Sequence, residues 1–399
     1  MTSPSPVRRR HVFYLSGFDP NGPPRYHRLY RDGAERQAAC TGAAIAVGPR
    51  TRDGADAVTW DVRYRPPGAA DDHAPVATTY RFPRWDDIVR AHWWRGLGPQ
   101  LADLLATTWQ YLRTGALWKT YRQRPVMATI VFMPVVLLAL FFPGLALGLW
   151  ATVALIEAWQ SDTPLAAPVA GVTATGALAL LWLRSARRSW HAQWILRSYG
   201  FIGRMEREGV PALDPVLDRI AADLCRQVRD GGDDEVLVVG HSLGSVLAVS
   251  VLARALRQDP DLARRGTALG LLTLGHCTPS LSNLPSARRF RDELATLAQA
   301  SDLCWVDFSD PLDAYGFAGV DPFAAAGVAA PRPGHPQMRS PGFGQLFSAG
   351  RWRRPRIGRH DLHAQYLCAS APGHAYDYFA ITAGPKTLAD RMARGPQAG

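Results

Sequence analysis

The residues best placed to do chemistry are Gly240-His241-Ser242-Leu243-Gly244, which directly follow the β-branched run Glu235-Val236-Leu237-Val238-Val239. A helix-compatible stretch, Ser245-Val246-Leu247-Ala248-Val249, comes next. A serine hydroxyl is a weak nucleophile unless it is held clear of its neighbours and beside a base. A strand, a tight G-x-S-x-G turn and a helix do the holding, and the two flanking positions, Gly240 and Gly244, must lack side chains for the turn to close. The helix start also offers free backbone N–H groups to a developing oxyanion. This pattern predicts nucleophilic acyl chemistry at Ser242.

Such a serine needs a carboxylate and a histidine after it in the chain, the histidine to move the proton and the carboxylate to orient the imidazole. Ser309-Asp310-Pro311-Leu312-Asp313-Ala314 follows the strand-like run ending at Phe308, which puts two carboxylates in range. Asp310 precedes a proline and suits a turn-forming role, so Asp313 is the preferred acid and Asp310 the alternative. His363 is the preferred base, at the start of a short helical pattern, with His374 and His360 as alternatives. His335 lies in a Pro-rich loop, and His241, inside the turn itself, reads as packing. Two oxyanion donors are expected, the backbone N–H of Leu243 and that of Phe18, whose neighbour Gly17 permits close approach.

The elements that must position these groups alternate. Strands are expected at His11–Ser16, Ala43–Val47, Val58–Tyr64, Ala77–Phe82, Glu235–Val239, Leu271–Leu274 and Leu303–Phe308. Helices are expected at Tyr26–Ala39, Asp86–Thr114, Ser189–Glu208, Pro215–Arg229 and Arg288–Ala300. The Gly-, Pro- and Arg-rich stretch from Gly316 to Arg356 reads as an irregular loop. This alternation predicts an α/β fold with a mainly parallel sheet and helices on both faces.

At 399 residues the chain is long enough for a large core. Five scattered cysteines with no C-x-x-C pair read as reduced thiols, and no metal or organic cofactor is implied. Met1 to Arg10 is polar and basic with no apolar run behind it, so no secretory leader is expected. The net charge of +11 comes with no nucleic-acid-binding module, so the expected partner is an anionic lipid surface and not nucleic acid. No residue between Arg124 and Glu157 is charged, and a second uncharged stretch runs from Thr163 to Leu183. Each has the length of a membrane span, and both outer flanks are basic. The expectation is a transmembrane helical hairpin that interrupts the α/β domain, in an integral protein of a bacterial inner membrane with catalytic domain and termini cytoplasmic. The expected organisation is a disordered 1–10, an N-terminal half-domain 11–124, the hairpin 125–184, a C-terminal half-domain 185–385 carrying nucleophile, acid and base, and a flexible tail 386–399.

These motifs resemble the α/β-hydrolase superfamily in its lipase/esterase branch, and the chain is similar to uncharacterised proteobacterial membrane-anchored members. The resemblance rests on Gly240-His241-Ser242-Leu243-Gly244-Ser245, on Ser16-Gly17-Phe18 as an oxyanion loop, on Trp305 through Asp313, and on His363 with Tyr366 in an H-x-x-Y stretch. Gly17-Phe18-Asp19-Pro20 with Tyr26-His27-Arg28-Leu29-Tyr30 carries the similarity to the membrane-anchored members. It covers about Arg10 to Arg50 and Asp234 to Ala380, and departs from the usual His-Gly pair by having Ser16-Gly17. It implies a serine hydrolase that cleaves a carboxylic ester, an acyl ester or a lipid-like one, through an acyl-Ser242 intermediate. An acyltransferase or thioesterase on the same fold, or a catalytically degenerate membrane scaffold, are the alternatives.

Overall fold

A computed structural model describes residues 6–70, 74–93, 95–160, 169, 171–177, 190–348, 359–371 and 374–393. Nine strands form one sheet: β1 (Arg9–Leu15), β2 (Ala44–Val47), β3 (Thr51–Asp53), β4 (Ala57–Arg65), β5 (Val76–Pro83), β6 (Glu235–His241), β7 (Ala268–Leu274), β8 (Cys304–Phe308) and β9 (Gln337–Arg339). The spatial order is β2-β4-β5-β1-β6-β7-β8-β9, with β3 on β4. From β5 to β9 every pairing is parallel, and β2, β3 and β5 meet β4 antiparallel. This is a mixed α/β fold with a mostly parallel central sheet.

The side chains of β6 explain its central place. All seven residues are buried, as expected of a parallel strand covered on both faces. Val236 and Val238 belong to one apolar cluster, while Leu237 and Val239 belong to another. That split follows from the two-residue period of a strand. The first cluster is filled by α7 (Leu213–Asp230) and α8 (Gly244–Gln258), the second by α1 (Pro23–Thr41) and the chain from Tyr366 to Leu388. Ahead of α7 the chain forms α2 (Asp86–Trp93), α3 (Leu97–Arg113), α4 (Ala116–Gln123), α5 (Pro125–Gln160) and α6 (Trp190–Arg207).

Several expectations are corrected. The predicted Asp86–Thr114 helix is two, because Gly96 caps the start of α3. The Gly316–Arg356 stretch holds β9 and the helices Pro322–Ala326 and Phe343–Ser348, and 349–358 lies outside the described residues. The N-terminal 1–10 is not wholly a disordered lead: residues 1–5 lie outside the description, but β1 opens at Arg9 and Arg10 is fully buried. Its guanidinium pairs with Glu235 at 2.6 Å and donates to the carbonyls of Gly384 and Lys386. The tail is helical over Leu388–Ala393, where the Leu388 amide donates to Glu235.

The expected membrane hairpin is also corrected. Among the described residues no helix is long and apolar enough to cross a membrane. Of the second expected span only 169 and 171–177 are described. An integral inner-membrane protein with a cytoplasmic catalytic domain is therefore not supported.

Candidate active site

Three parallel strands, β6, β1 and β8, end on one side of the sheet, and each delivers part of the site. This is the edge where open α/β sheets place their chemistry. β6 runs into Ser242, which has φ 58° and is the one non-glycine residue with positive φ among those described. A left-handed serine costs conformational energy and persists only where its surroundings fix it. They do so here. The Ser242 amide donates to the Leu274 carbonyl at 2.9 Å, the Ser245 hydroxyl donates to the Ser242 carbonyl at 2.6 Å, and the Cys277 amide donates to that hydroxyl. A Cβ on Gly240 would stand 2.5 Å from the Gly244 carbonyl oxygen, and one on Gly244 would stand 2.0 Å from that of Leu15. Both glycines are thus sterically required.

β1 runs into Gly17-Phe18. A Cβ at Gly17 would lie 3.0 Å from the Ser242 Cβ and 3.4 Å from its Oγ, so this loop passes directly over the hydroxyl. Leu243, the residue capping α8, occupies a helix start, where N–H groups have no intrahelical acceptor. Phe18 follows Gly17 on this loop and Leu243 follows Ser242 at the start of α8, the two residues whose amides are the expected oxyanion donors.

β8 runs into the acid loop. Asp313 is fully buried, and its Oδ2 accepts from His363 Nδ1 at 2.8 Å and from the Tyr366 hydroxyl at 3.0 Å. Its Oδ1 accepts from the Tyr315 amide at 2.9 Å. Burial alone would raise its pKa, but the charge of His363 and these hydrogen bonds outweigh it and hold the carboxyl below its ordinary range. When the ring is neutral and Nδ1 donates to Asp313, the lone pair falls on Nε2. That Nε2 is buried and has no hydrogen-bond partner, so the bond from Ser242 is not formed in the free site; such contacts commonly tighten only with substrate bound.

Asp310 and His374 make contacts of a different kind. Asp310 takes the Leu312 amide on Oδ1 and the Phe343 amide and Ser340 hydroxyl on Oδ2, which makes it a loop organiser. His374 bonds locally to Tyr376 and lies beside Gly342. The side chain of His360 lies outside the described residues. The His335 ring stacks on Phe323.

The comparisons leave the chain on its own. No family model, curated protein or solved structure matches it. The site therefore stands on its geometry.

Four contributors went unseen in the sequence. His241 is more than packing, since its Nε2 hydrogen-bonds the His363 carbonyl at 2.8 Å and the two rings lie 4.9 Å apart. Tyr315 meets the His363 ring edge-on at 5.6 Å. Trp194, near the start of α6, lies 5.8 Å from the same ring and donates its indole N–H to the Phe18 carbonyl. Arg124, just before α5, donates to the carbonyls of Asp313 at 2.7 Å, Pro311 at 3.0 Å and Gly316 at 3.2 Å. Both chain ends flanking the apolar segment thus fasten onto the site. Contacts to backbone carbonyls leave no signature in residue type, so only the folded chain reveals them.

Proposed function

We propose that the chain is a serine hydrolase of the α/β-hydrolase type that cleaves an acyl ester through an acyl-Ser242 intermediate. The observation that carries this reading is the left-handed Ser242 at the β6–α8 turn, facing the Gly17 loop, with a buried His363–Asp313 pair on the same sheet edge.

In this reading Ser242 Oγ attacks the ester carbonyl while His363 Nε2 takes its proton. The carbonyl electron pair moves onto oxygen, where the Phe18 and Leu243 amides receive it. The pair returns, the bond to the alkoxy group breaks, and the His363 proton goes to that leaving oxygen. Water then attacks the acyl carbon, gives its proton to Nε2 and releases the acid, and Ser242 Oγ recovers the proton. Asp313 remains ionised throughout and compensates the transient imidazolium.

The exposed, stacked Trp118 and Tyr121 of α4 lie just ahead of Arg124, the residue that grips the acid loop.

The test is labelling of the full-length chain with a fluorophosphonate probe. Wild type should label, while Ser242→Ala should not and His363→Ala should label far more slowly. Folded wild-type protein that never labels would remove the reading.

A further inference from the structure

We infer that Tyr366 is a positioning residue that sets the basicity of His363 through the acid, an inference that rests on the hydrolase reading. The Asp313 oxygen that holds His363 Nδ1 at 2.8 Å also accepts the Tyr366 hydroxyl at 3.0 Å. The same hydroxyl oxygen accepts the Asp310 amide at 2.8 Å. The result is a chain from the Asp310 N–H to the Tyr366 O–H to Asp313 Oδ2, met from the other side by His363. The ring has no freedom to leave. It is fully buried, its centroid lies 4.9 Å from that of Phe343, and a Cβ on the adjoining Gly275 would stand 2.8 Å from Cε2.

The sign of the effect follows from sharing. A hydroxyl that donates to a carboxylate oxygen draws off part of its charge, and a hydroxyl that itself accepts an N–H donates more strongly. Asp313 therefore stabilises the imidazolium less than it would alone, and His363 sheds its proton at lower pH. Two donors on one oxygen also fix the carboxylate plane, and with it the direction of the His363 ring. Packing alone would account for an aromatic ring here, but it would not put the hydroxyl on the acid.

The test is the pH dependence of the fluorophosphonate labelling rate for full-length Tyr366→Phe. Hydrogen bonds to charged groups have strengths that correspond to a displacement of about one pH unit. The acid limb should therefore move to higher pH by roughly that amount, and the plateau rate should fall about tenfold. Tyr376→Phe is the structural control. Tyr376 is also buried and donates to the Tyr366 carbonyl at 2.6 Å without touching Asp313. It should lower the melting temperature and leave the limb in place.

If Tyr366→Phe does not fold, 3-fluorotyrosine placed at residue 366 keeps the question open to measurement. Its more acidic phenol donates more strongly, so the limb should move to lower pH. A limb that stays put in the folded Phe variant, or moves the same way in both substitutions, overturns the role of Tyr366 while wild-type labelling leaves the hydrolase reading intact. Wild-type protein that never labels ends both.

Discussion

Replacing Asp313 by asparagine tests the acid assignment most directly, because the structure dictates how the amide must sit. Oδ1 accepts from the Tyr315 amide, whereas Oδ2 accepts from both His363 and Tyr366. An asparagine that satisfies Tyr315 presents its NH2 to two donors. His363 would then turn to the tautomer with its proton on Nε2, the nitrogen that must be bare to take the serine proton. The other amide orientation leaves the half-buried Tyr315 N–H facing a donor. Either way the countercharge to the imidazolium is gone. At about 4 Å between charge centres and an effective dielectric near 20, that interaction amounts to roughly 4 kcal/mol. With tenfold in rate per ~1.4 kcal/mol, labelling or ester turnover should fall by about 10^2 to 10^4, with circular dichroism unchanged. Asp310→Asn is the contrast. It weakens hydrogen bonds to Leu312, Ser340 and Phe343, so it should cost about 1–2 kcal/mol of stability and change the rate only a few-fold. If the Asp310 variant lost its reactivity while the Asp313 variant kept it, the acid would be the other residue.

Gly17→Ala would place a methyl 3.0 Å from the Ser242 Cβ, so probe labelling should drop at least tenfold with little change in melting temperature; normal labelling would mean the Gly17 loop does not border the reaction. Arg124→Ala removes three charge-assisted bonds to the acid loop, each worth about 1–3 kcal/mol when lost. Reactivity should fall tenfold or more, and hydrogen exchange should quicken over 310–316, whereas an unchanged exchange rate there would count against the clamp. Stability should also depend on pH well above the carboxylate range. Burial, with nearby arginines secondary, lowers the pKa of His11, His92 and His335 from 6.5 to about 4. The unfolded chain therefore binds more protons between those values, and stability should fall as pH drops from 6.5 to about 4. Urea midpoints that stay flat across that window would show these rings to be solvated.

How much was legible in the sequence depended on whether a feature is local. The serine turn, β1 and the strands from β4 to β8 were legible because apolar runs and glycine spacing are local signals. Asp313 and His363 were candidates through chain order, but the contacts that distinguish them from Asp310 and His374 required the fold. What distinguishes Asp313 from Asp310 is which backbone amides each carboxylate meets, and no spacing rule encodes that. β9, only three residues long, lies in a Gly- and Pro-rich stretch and is too short for any periodicity to show. Arg10 was read as part of a polar lead because its charge is visible in sequence while its buried partner Glu235 lies more than two hundred positions away. The apolar stretch after Arg124 was over-read. Hydropathy alone treats any long uncharged run as a span, and no helix among the described residues meets that requirement.

The restraints on His363 come from parts of the chain that share no local signal. Asp313 holds Nδ1, His241 holds the backbone carbonyl, and the rings of Trp194 and Tyr315 stand against the imidazole. These contacts leave Nε2 as the one polar atom of the ring without a partner. With His363 only 1% exposed, a proton taken there would have little access to bulk water. Its outlets would then be the serine oxygen and whatever replaces it on the substrate, which is the exchange that acyl transfer requires. The same burial has a cost, because an imidazolium among apolar rings is unfavourable unless an anion compensates it. Asp313 supplies that anion, held below its ordinary carboxylate range by the charge of His363 and by its hydrogen bonds to His363, Tyr315 and Tyr366. Burial that keeps the proton on this path and hydrogen bonds that keep Asp313 charged are therefore two halves of one requirement. A change that hydrates the site without touching Ser242, Asp313 or His363 should relax both.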